Sequence, residues 1–189
     1  MNGKAIILSA PSGSGKTTIV RCLMEAHPEL SFSVSATTRA PRGNEQNGID
    51  YHFLTTDEFR KRIEAGDFIE WEEVYQGMYY GTLRSAVENI WSQGRNVIFD
   101  VDVKGGVNLK KYFGDKALSV FVKAPSLESL RERLVARGTE TPESLERRIQ
   151  KAGAELAFEP QFDVTLVNDD RETACRKALE FYRELKSRV

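Results

Sequence analysis

The stretch ILSAPSGSGKTTIV, residues 7–20, constrains the fold more than any other part of this 189-residue chain. The run Ala5–Ser9, which leads into this stretch, is largely apolar, as is typical of a strand buried on both faces. Glycines follow, and apolar side chains then recur at helical spacing over Thr17–Ala26 until Pro28, which cannot continue a helix. The sequence therefore predicts a strand, a glycine turn and a helix in direct succession.

This turn matches a phosphate-binding pattern, G-x-x-x-x-G-K-[ST], except that Ala10 stands at the first glycine position. Successive backbone N–H groups and the start of the helix would form a cup of positive potential. Lys16 would reach the β- and γ-phosphates, and the Thr17 hydroxyl would bind Mg²⁺. A junction whose glycines only make the turn is the simpler alternative, but Gly-Lys-Thr at this place favours phosphate binding. We expect the triphosphate to lie among Ala10, Pro11, Ser12, Gly13, Ser14, Gly15, Lys16, Thr17 and Thr18.

Strand and helix patterns alternate along most of the remaining chain. This alternation predicts a parallel sheet with right-handed crossovers and helices on its faces, an α/β fold. The further strand predictions are Asn96–Val103, Leu118–Lys123 and Thr165–Val167; the helix predictions are about 83–93, 126–136, 143–157 and a last helix from near Glu172.

Residues 35–82 interrupt the alternation and predict a small α+β insert, with strand patterns DYHFL and FIEWEEV around a helix at about 56–65. Within it, Arg39 and Arg42 could bind a phosphate bidentately, although loop arginines are usually only solvated. Tyr51 and one of Tyr79 and Tyr80 could add hydroxyl donors, the other tyrosine packing the insert.

Glu70 is the candidate base-reading residue of the insert. Guanine presents adjacent N1–H and N2–H donors, which one carboxylate can accept together, whereas adenine has an acceptor at N1. A polar site left unpaired discriminates strongly between substrates. Without other clues, Glu70 would instead be read as one exposed position of a strand.

The chain resembles the guanylate kinase family, whose members transfer the γ-phosphoryl group of ATP to GMP. The resemblance covers residues 9–170 and is carried by SAPSGSGKTT, SVSATTRAPRGNEQNGIDYHF, FIEWEEVYQGMYYGT, VIFDVDVKGG, RLVARGTETPESLERRI and VNDD. It implies a three-layer P-loop NTPase core with a parallel sheet, an inserted α+β nucleoside-monophosphate-binding subdomain and a helical lid. The expected division is core at 1–34, 83–125 and 158–189, GMP-binding insert at 35–82, and lid at 126–157.

The resemblance also implies roles for individual residues. Ala10 and Thr82 depart mildly from the commonest family pattern, which has glycine and serine there. Guanine would be read by Ser35, Glu70, Thr82 and Asp102; the GMP phosphate would be held by Arg39, Arg42, Tyr51 and Tyr80; and the adenine of ATP would lie near Asn168 and Asp169.

The helix predicted at 143–157 has an apolar stripe of Leu145, Ile149, Ala152 and Leu156. At about 100° per residue, Arg148 borders this stripe and Arg147 falls on the far side. The sequence therefore favours Arg148 as the inward arginine. By resemblance, Arg137 and Arg148 are the lid arginines that neutralise the transferring phosphoryl group, acting as catalytic residues with Lys16.

Asp100 and Asp102 lie two apart at the carboxyl end of an apolar strand, where the sites of α/β proteins occur. Such aspartates are sometimes only turn caps before Lys104-Gly105-Gly106. Beside a phosphate loop we expect at least one to bind substrate or magnesium water, and we assign Asp100 with Thr17 to the metal.

The net charge of -1 gives no general attraction to nucleic acid or membrane, so the expected partners are ATP and GMP, with no obligate protein partner. Cys22 and Cys175 match no metal spacing and are expected to be buried reduced thiols in a cytoplasmic protein. Two alternatives are an inactive interaction module and a transferase with another acceptor. The intact phosphate loop argues against the first, and Glu70 with the arginine pair against the second.

Overall fold

The computed structural model describes residues 3–136, 138 and 141–188. The strands in this part are β1 (Ala5–Ser9), β2 (Leu30–Phe32), β3 (Ala36–Thr37), β4 (His52–Phe53), β5 (Phe68–Tyr75), β6 (Met78–Leu83), β7 (Asn96–Val101), β8 (Ala117–Lys123) and β9 (Val164–Val167). The α-helices are α1 (Lys16–Ala26), α2 (Thr56–Glu64), α3 (Arg84–Ser92), α4 (Val103–Phe113), α5 (Leu127–Ala136), α6 (Pro142–Leu156) and α7 (Arg171–Ser187).

The central sheet is parallel and has the strand order β2-β7-β1-β8-β9. Every residue of β1 is buried because helices cover both faces of the sheet. Leu23 of α1 and Tyr182 of α7 pack on one face, and Val87 of α3 and Leu109 of α4 pack on the other. This helix–sheet–helix arrangement confirms the predicted three-layer α/β core.

The carboxyl ends of β1 and β7 lie side by side, with Ser9 opposite Val101 in the register. The glycine turn follows β1, and the acidic segment Asp100–Asp102 lies at the end of β7. Parallel pairing therefore brings two segments about 90 residues apart to one edge, as expected for the ligand edge of an open α/β sheet.

A second, mixed sheet has the order β4-β3-β6-β5 and its own small core. Phe59 of α2 stacks on Phe68 and Tyr79, with ring centroids 4.3 Å and 5.3 Å apart. Thr55 and Glu58 form a capping box that starts α2, so the predicted helix at about 56–65 is observed.

Helices α5 and α6 pack on each other beside the central sheet. Leu145, Ile149 and Ala152 of the predicted stripe pack in one cluster with Leu130 and Leu134, which confirms the stripe for three of its four residues. Thr141 caps α6, and the following proline occupies the first turn, where its missing N–H costs nothing.

Helix α4 was not predicted, and the strand predicted to reach Val103 ends at Val101. Gly105 and Gly106 are typical of a turn, but here they lie inside the helix. A Cβ atom on Gly106 would collide with Ser9 Oγ and lie 3.0 Å from the Phe162 ring. The glycine therefore allows α4 to pack closely on the end of β1, a tertiary requirement that outweighs its low helix propensity.

The prediction of reduced thiols is wrong, because Cys22 of α1 and Cys175 of α7 form a disulfide. The two helices pack side by side on the sheet, and their Cα atoms at these positions are 6.1 Å apart, a span that a disulfide bridges. The argument from free thiols to a cytoplasmic location therefore loses its premise. In the described part of the chain, no helix is both long and apolar enough to cross a membrane.

Candidate active site

A cleft of about 470 Å³ opens at the carboxyl edge of the central sheet and extends to the second sheet. Its walls come from the phosphate loop, the end of β7 and the beginning of α4, strands β5 and β6, and helix α6. All nine residues expected around the triphosphate line it, as do Ser35, Arg42, Tyr51, Glu70, Tyr80, Asp100 and Asp102.

The phosphate loop has the backbone conformation that its glycines permit. Gly13 and Gly15 have φ of 98° and 86°, values that L-residues rarely adopt. Ala10 is not among the positive-φ residues of the described chain, so alanine is tolerated at its position. Helix α1 begins at Lys16 without a side-chain cap and without an acidic residue in its first turn. Its first N–H groups are therefore left for an anion.

Lys16 makes two contacts across the sheet edge. Its ammonium lies 2.5 Å from Asp100 Oδ1 and donates to the carbonyl of Val101 at 2.6 Å. These partners hold the side chain at the mouth of the loop. Two of the three N–H donors of the ammonium are thus occupied, and a bound phosphate would compete with Asp100 for its charge.

Arg39 is nearly buried, at 8% exposure, and Glu45 holds it in place. Its NH1 and NH2 groups donate to the two carboxylate oxygens of Glu45 at 2.6 Å and 2.8 Å, and the Tyr51 ring lies 4.7 Å from the guanidinium carbon. The Arg39 guanidinium lowers the pKa of Glu45 to about 2, and this carboxylate raises the pKa of Arg39. Arg39 itself is not among the described residues that line the cleft, whereas Arg42 is.

The structure separates the two candidate tyrosines. Tyr80 lines the cleft and its ring lies 6.1 Å from that of Tyr51. Tyr79 is 6% exposed and packs in the core of the second sheet, the structural role predicted for one of the pair.

Glu70 lies on β5 opposite Thr82 of β6 and accepts a hydrogen bond from the Thr82 hydroxyl at 2.7 Å. Burial raises the pKa of Glu70 to about 7, against the opposing effect of this hydrogen bond. A Cβ atom on Gly105 would lie 3.3 Å from Glu70 Oε2 and 3.1 Å from Asp102 Oδ1. The glycine at the start of α4 therefore lets both carboxylates approach the same end of the cleft.

Asp102 is also a helix cap, since its Oδ1 accepts from the backbone N–H of Gly105 at 2.8 Å. The capping alternative and the cleft position predicted for this residue are thus both observed. Asp102 and Asp100 line the same cleft although the strand ends between them.

Asn168 and Asp169 are not among the described residues that line the cleft. Asn168 is 8% exposed, and its side-chain amide donates to the carbonyl of Ser14 at 2.8 Å. This amide lies against Gly15, where an added Cβ atom would collide with it. Asn168 therefore supports the phosphate loop from behind.

The structure describes Arg148, one of the two predicted lid arginines, together with its neighbour Arg147. Arg148 is half-buried on α6 and Arg147 is exposed, as the angular argument from the stripe predicts. Arg137 lies outside the described residues.

Several residues of the site were not identified from the sequence. Glu45 holds Arg39; Glu72 lines the cleft and accepts from Lys104 at 2.6 Å; and Lys151 and Glu155 of α6 line it as well. An acidic residue three positions after Arg42 was the one available signal for Glu45. The others depend on how β5 and α6 face the central sheet, which no local pattern gives.

Comparison with known proteins identifies the family of the chain. The guanylate kinase family model matches residues 2–185. The chain belongs to the guanylate kinase family.

Its curated relatives match over nearly their whole length. A guanylate kinase of Bacteroides thetaiotaomicron is 55% identical over 184 residues, which cover 97% of this chain and 90% of the relative. One of Bacteroides fragilis is 54% identical, covering 96% of this chain and 89% of the relative. The crystal structure of guanylate kinase from Anaplasma phagocytophilum superposes with a TM-score of 0.79 at 28% identity, covering 99% of this chain and 88% of that one. The chain is thus a nucleoside monophosphate kinase of this family.

Proposed function

We propose that the protein transfers the γ-phosphoryl group of ATP to GMP and so produces ADP and GDP. The observation that carries the proposal is the position of Glu70, oriented by Thr82, in the same cleft as the phosphate loop. An ionised Glu70 would accept the N1–H and N2–H groups of guanine together. Adenine could not replace it, because its N1 acceptor would face a carboxylate.

The remaining pocket residues support a monophosphate beside this base site. Arg42, Tyr51 and Tyr80 line the cleft and offer donors to the GMP phosphate, and Arg39 lies behind Tyr51. Ser35 and Asp102 complete the proposed base site. The proposed GMP-binding insert at 35–82 includes most of the second sheet, while 126–157 would form the lid and the rest of the chain the core.

At the phosphate-loop end of the cleft, the oxygen donors of Thr17 and Asp100 fit a magnesium ion. The described residues include no group of three or more His, Cys, Asp or Glu side chains able to hold a metal. Mg²⁺ with a nucleotide needs few protein ligands, since phosphate oxygens and waters complete its octahedron. Thr17 and Asp100 supply hard oxygen atoms beside the loop and would hold it. When bound, the ion would neutralise charge on the phosphates.

The proposed mechanism depends on positioning and charge neutralisation and needs no strong base. A phosphate oxygen of GMP is already ionised near neutral pH. Lys16 would exchange Asp100 for the β- and γ-phosphates and stabilise the transferring group, with Arg148 and Arg137 closing from the lid. The adenine would lie near Asp169, the neighbour of Asn168, which supports the phosphate loop.

The deciding experiment measures ADP release with ATP and each of GMP, AMP, CMP and UMP. We expect turnover with GMP to exceed turnover with the other three by orders of magnitude in kcat/KM. Equal rates with AMP would contradict the role of Glu70. Absence of ADP release with every acceptor would contradict the proposed reaction itself.

A further inference from the structure

Helix α6 has a polar face beside its apolar stripe. Ala152 and Ile149 pack towards α5, while Lys151 and Glu155, one turn apart, reach the wall of the active-site cleft. The helix therefore contributes one cation and one carboxylate to the space between the phosphate loop and the second sheet.

Glu155 is unfavourable for the stability of α6. The residue is 8% exposed, its Oε1 lies 3.6 Å from Lys151 Nζ, and its Oε2 is buried without a hydrogen-bond partner. It also lies one residue before the end of α6, where the helix dipole disfavours an acid. Burial raises its pKa, while Lys151 and Lys16 oppose that rise. A buried carboxylate with an unpaired oxygen costs stability, so packing does not explain why it is there.

Lys151 adds positive charge to a cleft whose described lining has more carboxylates than cations. Among the described residues that line the cleft, three are cationic: Lys16, Arg42 and Lys151. Five carboxylates line the same cleft, namely Glu70, Glu72, Asp100, Asp102 and Glu155. A site that receives a triphosphate beside a monophosphate needs cations, and Lys16 is already paired with Asp100.

We propose that Lys151 is a further phosphate-binding residue of the lid helix and that Glu155 is the positioning residue that holds its ammonium over the cleft. The inference rests on the proposed function, since the phosphates are those of the nucleotides. The long lysine side chain is half-exposed and has many rotamers, and a buried carboxylate one turn away restricts them to those that face the cleft. The Glu155 carboxylate would itself repel phosphate, so any favourable effect of Glu155 on phosphate binding must act through the position of Lys151.

A double-mutant cycle on the full chain tests this. The variants are Lys151→Gln, Glu155→Gln and the pair, with Lys177→Gln on the exposed face of α7 as the matched control. Binding of ATP with Mg²⁺ is measured by calorimetry, kcat and KM by ADP release with GMP, and folding by thermal unfolding. We expect Lys151→Gln to lower kcat/KM for ATP by about 5- to 30-fold, the size of one partly exposed charge-assisted contact. Lys151→Arg should retain most of the activity, and Lys177→Gln should match wild type.

The cycle separates positioning from a merely structural role. Glu155→Gln should lower kcat/KM in the wild-type background and have no further effect in Lys151→Gln, while raising the unfolding temperature. Additive losses would overturn the role of Glu155, and wild-type kinetics of Lys151→Gln would overturn that of Lys151. A wild-type protein that binds no ATP would instead refute the proposed function, which distinguishes the two failures.

Discussion

Replacing Glu70 by glutamine tests both the recognition of guanine and the stability that the protein loses by burying a carboxylate at this position. The substitution keeps the size of the side chain and an oxygen that can accept from Thr82, but it removes the charge. One guanine donor would then face an amide N–H instead of an acceptor. We expect GMP to bind about 10- to 1000-fold more weakly, the range for a lost charged contact with one donor left unpaired.

The same substitution should stabilise the protein at alkaline pH. Burial raises the pKa of Glu70 from 4.5 to about 7, so between these values the folded state binds a proton that the unfolded chain has released. The stability contributed by the neutral carboxyl group is therefore present at acid pH and is lost as the pH rises through about 7. The full effect is at most about 3.5 kcal/mol, taking about 1.4 kcal/mol for each tenfold change in proton affinity.

The measurement is urea unfolding of wild type, Glu70→Gln and the exposed control Glu88→Gln at pH 5 and pH 8.5, with GMP and AMP titrations at both. Groups titrating elsewhere cancel in the difference between wild type and variant. The variant should gain stability over wild type only at pH 8.5, and the control should gain none. An equal difference at both pH values would refute the burial argument, and an unchanged preference for GMP over AMP would refute base reading.

Three further predictions concern the phosphate contacts. Lys16→Met should abolish ADP release while leaving the unfolding temperature within a few degrees of wild type; normal turnover would remove the phosphate loop from the mechanism. Glu45→Gln should raise the KM for GMP by about 5- to 50-fold with little change in kcat, because Arg39 loses its two-point partner. An unchanged KM would show that GMP binding does not depend on how Glu45 holds Arg39. Arg148→Ala should lower kcat more than it raises the KM for GMP, whereas the opposite pattern in initial rates would make it a binding residue.

The sequence predicts β1, β7, β8 and β9 of the central sheet because these strands are largely apolar, whereas the three-residue edge strand β2 was not predicted. The apolar stretch in Ala5–Ser9 and the one in Ala117–Lys123, interrupted only by Ser119 before its final lysine, each stand out from the helices around them. Helix α4 was missed for the opposite reason. Gly106 is poor for a helix, and its value lies in the contact with Ser9, which is distant in sequence.

The candidate site divides in the same way. The phosphate loop is one continuous segment whose chemistry follows from its own backbone, so its residues could be named from the sequence alone. Glu70 required a resemblance, because a glutamate on a strand has no distinguishing pattern until Thr82 and Gly105 are seen beside it. The roles of Asn168 and Glu155 depend on burial, which the sequence does not express.

Asp100 links the charge balance of the cleft to the need for a divalent cation. Its carboxylate pairs with Lys16 at 2.5 Å, so the phosphates of ATP would compete with it for this ammonium and would face an acid beside the lysine. A divalent ion at Asp100 would remove that penalty. We therefore expect Asp100→Asn to bind ATP more tightly than wild type when EDTA is present, and more weakly than wild type when Mg²⁺ is present. Calorimetry under the two conditions measures both, and weaker binding in EDTA would show that the pair with Asp100 does not compete with the nucleotide.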